Sequence, residues 1–207
     1  MRALGILGGT FNPPHLGHLA VARSARDELE LERVLLMPVH TPPHKPSGAD
    51  PGPERRLRMC HLLTYGEPGI QACGIEVERG GPSYTADTLA SLHVSEPDAE
   101  LTFIVGADTA RTLPAWHEPA RVLALARLAV ASRSSAEHDE VRAAVASVEA
   151  GARPVFLKMA PIEISSSLAR ERAARGEPLE GLLGEAVAAY VSDHELYREG
   201  SEGEREE

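Results

Sequence analysis

The chain has 207 residues, 43% of them hydrophobic, and a formal net charge of −10. This length and apolar content suit one domain with its own core. The acidic balance attracts neither nucleic acid nor an anionic membrane, so we expect neither as a partner, and an anionic substrate needs local positive groups. Two cysteines and no apolar run of the roughly 18 to 20 residues that span a membrane predict a soluble, cytoplasmic protein.

The N-terminal stretch GGTFNPPHLGH, residues 8–18, follows a short apolar run and leads into a helical pattern. Strand, glycine-rich loop and helix in this order favour anion binding, because Gly8 and Gly9 let the backbone approach a ligand and the helix start offers free N–H groups. His15 and His18 share one face of the first turn, where imidazoles can bind phosphate oxygens and, if charged, stabilise negative charge during nucleotidyl transfer. A surface or capping histidine is the alternative for either residue alone.

A long loop follows the second predicted strand, which spans Arg33 to Pro38. This Pro/Gly-rich connection over residues 39–53 exceeds the usual two to six residues. It contains His44 and Lys45, and Lys45 is one of only two lysines in the chain. We expect the loop to cover a substrate, while a bland linker with a solvated lysine is the alternative.

The middle of the chain continues the alternation of helices and strands. A helix is predicted over residues 54–65, with most of its arginines solvated, and a modest strand region, broken by Gly74, over residues 71–78. Another helix opens within residues 83–89, for which Ser83 or Thr85 is the expected N-cap.

The clearest strand, residues 101–105, leads to Gly106 and Asp108 at its carboxyl end, where open parallel sheets bind ligands. An aspartate there commonly accepts hydrogen bonds from ribose hydroxyls, and it can equally cap a helix that begins at Thr109. Trp116 is the single tryptophan. It can fill the core or provide a face on which a flat ring stacks.

The C-terminal part is expected to end in a second phosphate-binding helix. Two further strands are predicted at residues 128–132 and 155–157. A helix is predicted between them, over residues 138–149. The hydroxyls of Ser165 and Ser166 precede a helix that carries Arg170 one turn further on, so both kinds of group can reach an anion. We predict a domain over residues 1–194 and an acidic, disordered tail over residues 195–207.

Strands that alternate with helices predict an α/β fold in a single domain. We expect a Rossmann-like, doubly wound parallel sheet of about five or six strands, with helices on both faces and right-handed crossovers. In this topology the loop at residues 8–18 and the helix after Ser165 would meet over the carboxyl ends of the strands.

Five stretches together resemble the bacterial nicotinate-nucleotide adenylyltransferases of the HxGH nucleotidyltransferase superfamily. They are GGTFNPPHLGH, PVHTPPHKP, SYTADTL, VGADTARTLPAWHE and ISSSLAR. HxGH and ISSSxxR mark only the superfamily, whereas PPHK, YTADTL and GAD with its downstream tryptophan indicate the nicotinate branch. The resemblance implies transfer of an adenylyl group from ATP to nicotinate mononucleotide, giving deamido-NAD and pyrophosphate in NAD biosynthesis. Mg²⁺ would enter with ATP, without a metal site made by the protein.

Carried over position by position, the resemblance implies two groups of site residues. The ATP group is Gly8, Gly9, His15, His18, Gly106, Asp108, Ser165, Ser166 and Arg170. The group for the acceptor and the phosphate junction is Thr10, Phe11, His44, Lys45, Thr85, Trp116 and His117. The expected catalytic residues are His15, His18 and Arg170. Trp116 would stack on the pyridine ring, and the backbone N–H groups of Thr85 and His117 would bind the nicotinate carboxylate.

Three positions depart from the family pattern. Asn12 stands where the family more often has Asp, His117 where an aromatic residue is frequent, and Ser167 where Thr is frequent. We therefore assign Asn12 no metal role. An adenylyltransferase for nicotinamide mononucleotide or phosphopantetheine, and a non-catalytic nucleotide sensor on the same fold, remain alternatives. The sequence also leaves a homo-oligomer open.

Overall fold

The protein is described by a computed structural model over residues 2–42, 49–132, 134–159 and 163–198. Within these residues six strands form one parallel sheet in the order β3-β2-β1-β4-β5-β6. They are β1 (Arg2–Gly9), β2 (Arg33–Pro38), β3 (Ile70–Ala72), β4 (Ala99–Gly106), β5 (Arg127–Ala131) and β6 (Val155–Leu157). The strand order reverses between β1 and β4, which confirms the predicted doubly wound α/β fold.

Helices cover both faces of this sheet. They are α1 (Leu16–Glu28), α2 (Pro53–Thr64), α3 (Ile75–Arg79), α4 (Thr85–Ser95), α5 (Ala107–Arg111), α6 (Pro119–Leu125), α7 (Ser135–Val148), α8 (Ser166–Ala174), α9 (Glu180–Leu183) and α10 (Glu185–Asp193). Successive strand residues point to opposite faces, so Leu36 joins the core under α1, α2 and α8 to α10, whereas Leu35 and Met37 join the core under α4 to α7. No helix in the described ranges is long and apolar enough to span a membrane.

The prediction of a strand over residues 71–78 is wrong beyond Ala72. The chain leaves the sheet there and forms α3, whose N-cap is Gly74. A Cβ atom at Gly74 would lie 2.8 Å from Cδ2 of Leu57, so a side chain here would clash with α2. The close approach between α2 and the turn before α3 depends on tertiary packing, so the local sequence did not specify that α3 replaces the strand after Ala72.

The caps proposed from the sequence for α4 and α5 are wrong, whereas His15 and Ser165 do cap α1 and α8. The N-cap of α4 is Tyr84, and neither Ser83 nor Thr85 has that role. The Ser83 hydroxyl instead accepts a hydrogen bond from the backbone N–H of His40, at 2.9 Å. Helix α5 begins before Thr109, with Gly106 as its N-cap, so Asp108 lies inside the helix and does not cap it.

The packed chain extends further than the expected boundary at residue 194. Leu196 and Tyr197 are buried, at 5% and 6% exposure, in the core beside α10. Packing against the core therefore continues through Tyr197, three residues beyond the predicted boundary. The remainder of the predicted tail, residues 199–207, lies outside the described residues.

Candidate active site

The loop between β1 and α1 brings its two histidines into direct contact. His15 is the N-cap of α1, and its Nδ1 accepts the backbone N–H of His18 at 3.3 Å. In return, Nδ1 of His18 accepts the backbone N–H of His15 at 3.2 Å. The two rings stack with their centroids 3.6 Å apart. Because each Nδ1 is an acceptor, the neutral rings carry their protons on Nε2, which leaves Nε2–H as the donor for a ligand.

Burial keeps these imidazoles neutral. It lowers the pKa of His15 from 6.5 to about 4, and it places the pKa of His18 well below 6.5, where a charge on His15 would lower it further. At neutral pH without a bound anion, both residues are therefore hydrogen-bond donors and not cations. The ring of Phe11 is buried against His18, with centroids 4.8 Å apart, so Phe11 can offer a ligand only its backbone.

The N-terminus of α8 packs directly on this loop, as the predicted topology required. Ser166 Oγ donates to the carbonyl oxygen of Pro13 at 2.9 Å, and Arg170 Nη1 donates to that of Asn12 at 2.6 Å. Ser165 is the N-cap of α8, and its exposed side chain accepts the N–H of Leu168. The starts of α1 and α8 thus converge over one edge of the sheet, and free N–H groups at a helix start are suited to an anion.

A cavity of about 420 Å³ opens beside the loop, at the switch point between β1 and β4. We refer to it as the Trp116 cavity. Its lining includes Gly8, Gly9, Thr10, Met37, Val39, Pro42, Glu76, Ser83, Tyr84, Thr85, Phe103, Val105, Asp108, Thr109, Thr112, Trp116 and His117. Clefts at such switch points are the common ligand sites of open parallel sheets. Most residues expected from the resemblance to surround the acceptor therefore line one cavity.

Trp116, which lines the cavity, is held by contacts with two other residues. Its Nε1 donates to Thr112 Oγ1 at 2.9 Å, and its ring meets that of Phe103 edge-on with centroids 5.9 Å apart. The half-buried ring lines the cavity, so Trp116 both packs on the core and borders open space. Tyr84 and His117 also line the cavity, and their ring centroids lie 4.5 Å apart.

The carboxyl end of β4 contributes Gly106 and Asp108. Gly106 is exposed, with no atom near the position of a Cβ. Asp108 is 85% exposed in its side chain and forms an ion pair with Arg111. Both positions are therefore accessible to a ligand. His44 and Lys45 lie outside the described residues.

Arg56 is a buried support of the site that sequence reasoning missed. We expected most of the arginines of α2 to be solvated, but Arg56 has no solvent exposure. Its guanidinium donates to the carbonyl oxygens of Thr10, Val39 and His40 and to a carboxylate oxygen of Asp50, at 2.7 to 3.0 Å. A signal was present, because residues 56, 59, 60 and 63 follow helical spacing and all are buried.

Glu76 is the second missed residue. It lines the Trp116 cavity at 6% exposure, and its Oε1 accepts from the Thr88 hydroxyl at 2.7 Å. Its Oε2 has no hydrogen-bond partner among the described residues. Burial raises the pKa of Glu76, against the opposing effects of Thr88, Ser83 and Arg79. No local pattern marks this residue, because its burial depends on the short helix α3.

The described residues contain no group of three or more His, Cys, Asp and Glu side chains placed to bind a metal ion. The Asn12 side chain is occupied by protein partners, since it donates to the carbonyl oxygen of Ala49 and accepts from the Tyr197 hydroxyl.

Comparison with known proteins agrees with this geometry. A family model described as cytidylyltransferase-like matches residues 6–172. A probable nicotinate-nucleotide adenylyltransferase of Thermomicrobium roseum is 41% identical over 199 residues, which cover 96% of this chain and 92% of the relative. Another from Roseiflexus sp. is 40% identical over 195 residues, 94% of this chain and 98% of the relative.

Among solved structures, the nicotinic acid mononucleotide adenylyltransferase of Plasmodium falciparum complexed with NaAD has a similar fold. The TM-score is 0.75 over 95% of this chain and 98% of that chain, at 15% identity. The family model matches most of the chain, and the relatives are more than 30% identical over nearly their full length; together these matches identify the family. The chain belongs to the cytidylyltransferase-like family and, within it, to the nicotinate-nucleotide adenylyltransferases.

Proposed function

We propose that the protein transfers the adenylyl group of ATP to nicotinate mononucleotide, giving deamido-NAD and pyrophosphate in NAD biosynthesis. One observation carries the proposal: the paired histidines and α8 converge beside a cavity walled by Trp116. Phosphate-binding groups and a stacking surface thus adjoin at one edge of the sheet. This arrangement suits a reaction in which two nucleotides join through their phosphates.

The chemistry requires positioning more than proton transfer. The 5′-phosphate of the acceptor attacks the α-phosphorus of ATP in line, a new P–O bond forms, and the bond to pyrophosphate breaks. The attacking phosphate already carries a negative charge, so no general base is needed. The barrier falls when preorganised donors stabilise the charge that develops on the phosphoryl oxygens.

We assign the donors of the ATP side to His15, His18 and Arg170. The Nε2–H groups of the histidines would donate to phosphate oxygens. Arg170 now donates to the carbonyl oxygen of Asn12, so its guanidinium already lies at the loop and can turn toward a triphosphate. Backbone N–H groups at Gly8, Gly9 and the start of α8, with the hydroxyls of Ser165 and Ser166, would complete the phosphate site.

Gly106 and Asp108 would contact the ATP ribose and its surroundings, because both lie at the accessible end of β4. We propose that Mg²⁺ accompanies ATP and neutralises part of the triphosphate charge.

The acceptor would occupy the Trp116 cavity. Its pyridine ring would stack on Trp116, and its phosphate would lie near Thr10 and the backbone of Phe11. The N–H of Thr85, in the first turn of α4, has no carbonyl of its own helix to bind and is suited to a carboxylate. We propose that this group and the N–H of His117 bind the nicotinate carboxylate. His44 and Lys45 stay predictions for the acceptor side.

Pyrophosphate release from ATP tests this function directly. The purified protein is given Mg²⁺, ATP and, separately, nicotinate mononucleotide, nicotinamide mononucleotide or phosphopantetheine. We expect the highest kcat/KM with nicotinate mononucleotide. A higher value with another acceptor would assign a different substrate, and ATP binding without pyrophosphate release for any acceptor would support a nucleotide sensor.

A further inference from the structure

The last described turn of the chain contacts the loop between β1 and α1. After α10 ends at Asp193, Glu195 and Tyr197 both adopt positive φ angles, of 50° and 66°. These left-handed conformations are uncommon for residues with side chains and usually persist only where surrounding contacts fix them. Here they turn Leu196 and Tyr197 into the core, where both are buried. The conformation of this turn therefore places the Tyr197 side chain in the core.

Tyr197 makes one specific polar contact in this position. Its hydroxyl donates to Oδ1 of Asn12 at 2.6 Å, in a buried hydrogen bond between residues 185 positions apart. Burial raises the pKa of Tyr197 far above its usual range, so the hydroxyl keeps its proton at any working pH. The Tyr197 hydroxyl is therefore available as a donor to the loop between β1 and α1.

Asn12 also forms hydrogen bonds with two other segments that border the site. Its Nδ2 donates to the carbonyl oxygen of Ala49, at 3.2 Å, where the chain returns from the long loop after β2. Its own carbonyl oxygen accepts Nη1 of Arg170 from α8. The side-chain amide of Asn12 therefore accepts a hydrogen bond through Oδ1 and donates one through Nδ2. An ionised aspartate in the same place could only accept.

We propose that Tyr197 and Asn12 are positioning residues of the ATP side. The Tyr197 hydroxyl fixes the Asn12 amide, and Asn12 in turn fixes the loop that carries His15 and the contact that orients Arg170. Neither residue needs to touch the reacting atoms. The inference rests on the proposed function for its kinetic readout, although the contacts themselves do not.

The variant Tyr197→Phe tests the proposal, because it removes only the hydroxyl and leaves the ring to fill the core. We expect kcat to fall about tenfold and the affinity for ATP to weaken, since Asn12 Oδ1 loses its buried donor and the loop loses its register. The KM for the acceptor should change less than twofold, because the Trp116 cavity does not include Asn12 or Tyr197. Tyr190→Phe on α10 is the matched control, since the Tyr190 ring packs on the ring of His194. It should keep wild-type kinetics.

A double-mutant cycle separates positioning from a general loss of stability. If the two side chains act as one unit, Asn12→Ala combined with Tyr197→Phe should be no slower than Asn12→Ala alone. Losses in kcat that multiply would overturn the proposal, as would a kcat for Tyr197→Phe within twofold of wild type. Urea unfolding of each variant shows whether the protein assayed is folded.

Calorimetric titration with ATP alone makes this test independent of turnover. Wild-type protein that binds ATP but releases no pyrophosphate with any acceptor would refute the proposed function and leave the positioning role testable. In that case, weaker ATP binding by Tyr197→Phe but not by Tyr190→Phe would still support the proposal. Equal affinities in all three proteins would contradict it.

Discussion

The ATP side and the Trp116 cavity are built in opposite ways. On the ATP side, hydrogen bonds within the protein hold the groups in place: the side chains of His15 and His18 each accept the backbone N–H of the other, and α8 bonds to the loop through Ser166 and Arg170. The cavity instead encloses a free volume of about 420 Å³, and its surface is mainly apolar, although Glu76 and Asp108 are among the residues that line it. One region is preorganised by internal hydrogen bonds, and the other provides space and a flat ring.

This difference fits the work proposed for each region. Charge that develops during phosphoryl transfer is stabilised best by donors that are already oriented, because reorganising them during the reaction would cost free energy. A ring with a single carboxylate needs a wall to stack on and a few backbone donors. Substitutions on the ATP side should therefore change kcat, whereas substitutions in the cavity should change the KM of the acceptor.

The largest effect is expected at His18. His18→Ala removes one preorganised donor, so kcat should fall by roughly two to three orders of magnitude while the fold is retained. Steady-state pyrophosphate release measures the loss, and circular dichroism checks the fold. His61→Ala on the exposed side of α2 is the matched control and should keep wild-type activity. A near-normal kcat for His18→Ala would refute the assigned role.

Trp116→Ala should have the next largest effect on catalysis and should separate the two regions. Loss of ring stacking is worth about 1 to 3 kcal/mol in nucleotide sites, so the KM for nicotinate mononucleotide should rise roughly 5- to 150-fold. The KM for ATP should stay within about twofold. Trp116→Phe keeps an aromatic face and should show a smaller rise. If the KM for ATP increases and that of the acceptor does not, the cavity has been assigned to the wrong substrate.

Arg56→Lys should reduce stability, because a lysine keeps the charge but cannot reach the four oxygens that the guanidinium fork binds. Loss of these buried contacts should lower the free energy of unfolding by about 2 to 4 kcal/mol, measured by urea denaturation. Arg55→Lys, on the exposed face of the same helix, should change it by less than about 0.5 kcal/mol. Equal stabilities of the two variants would contradict the role of Arg56.

The smallest effect is expected at Glu76, and it depends on pH. Burial raises the pKa of Glu76 in the folded state above its ordinary value of 4.5, so folding disfavours the ionised form. Wild-type stability should therefore be lost as pH rises from about 4.5 through the raised pKa. Glu76→Gln has no such titration, so its free energy of unfolding relative to wild type should increase over this interval. Urea denaturation at pH 4.5 and pH 7.5 measures the change, and a relative decrease would show that burial does not raise the pKa of Glu76.

Elements that follow from short stretches of sequence were predicted well. The strands β2 and β6 and the helix α8 with Ser165 at its start appear where hydrophobic periodicity and capping chemistry placed them. The fold class followed from the alternation of strands and helices, because a parallel sheet requires a crossover between neighbouring strands. Arg56 and Glu76 were missed because charged side chains are usually exposed, and only long-range packing decides when they are not.

The sequence by itself determined the chemistry available to this protein: a glycine loop with two histidines, a serine-rich helix start with an arginine, and a single tryptophan. These are properties of neighbouring residues, and the backbone geometry they favour is local. The tertiary structure decided that the two histidines are neutral, that Tyr197 bonds to Asn12, and that Arg56 and Glu76 lie buried beside the site. Charge state and desolvation depend on atoms brought together from distant parts of the chain, so no local stretch of sequence specifies them.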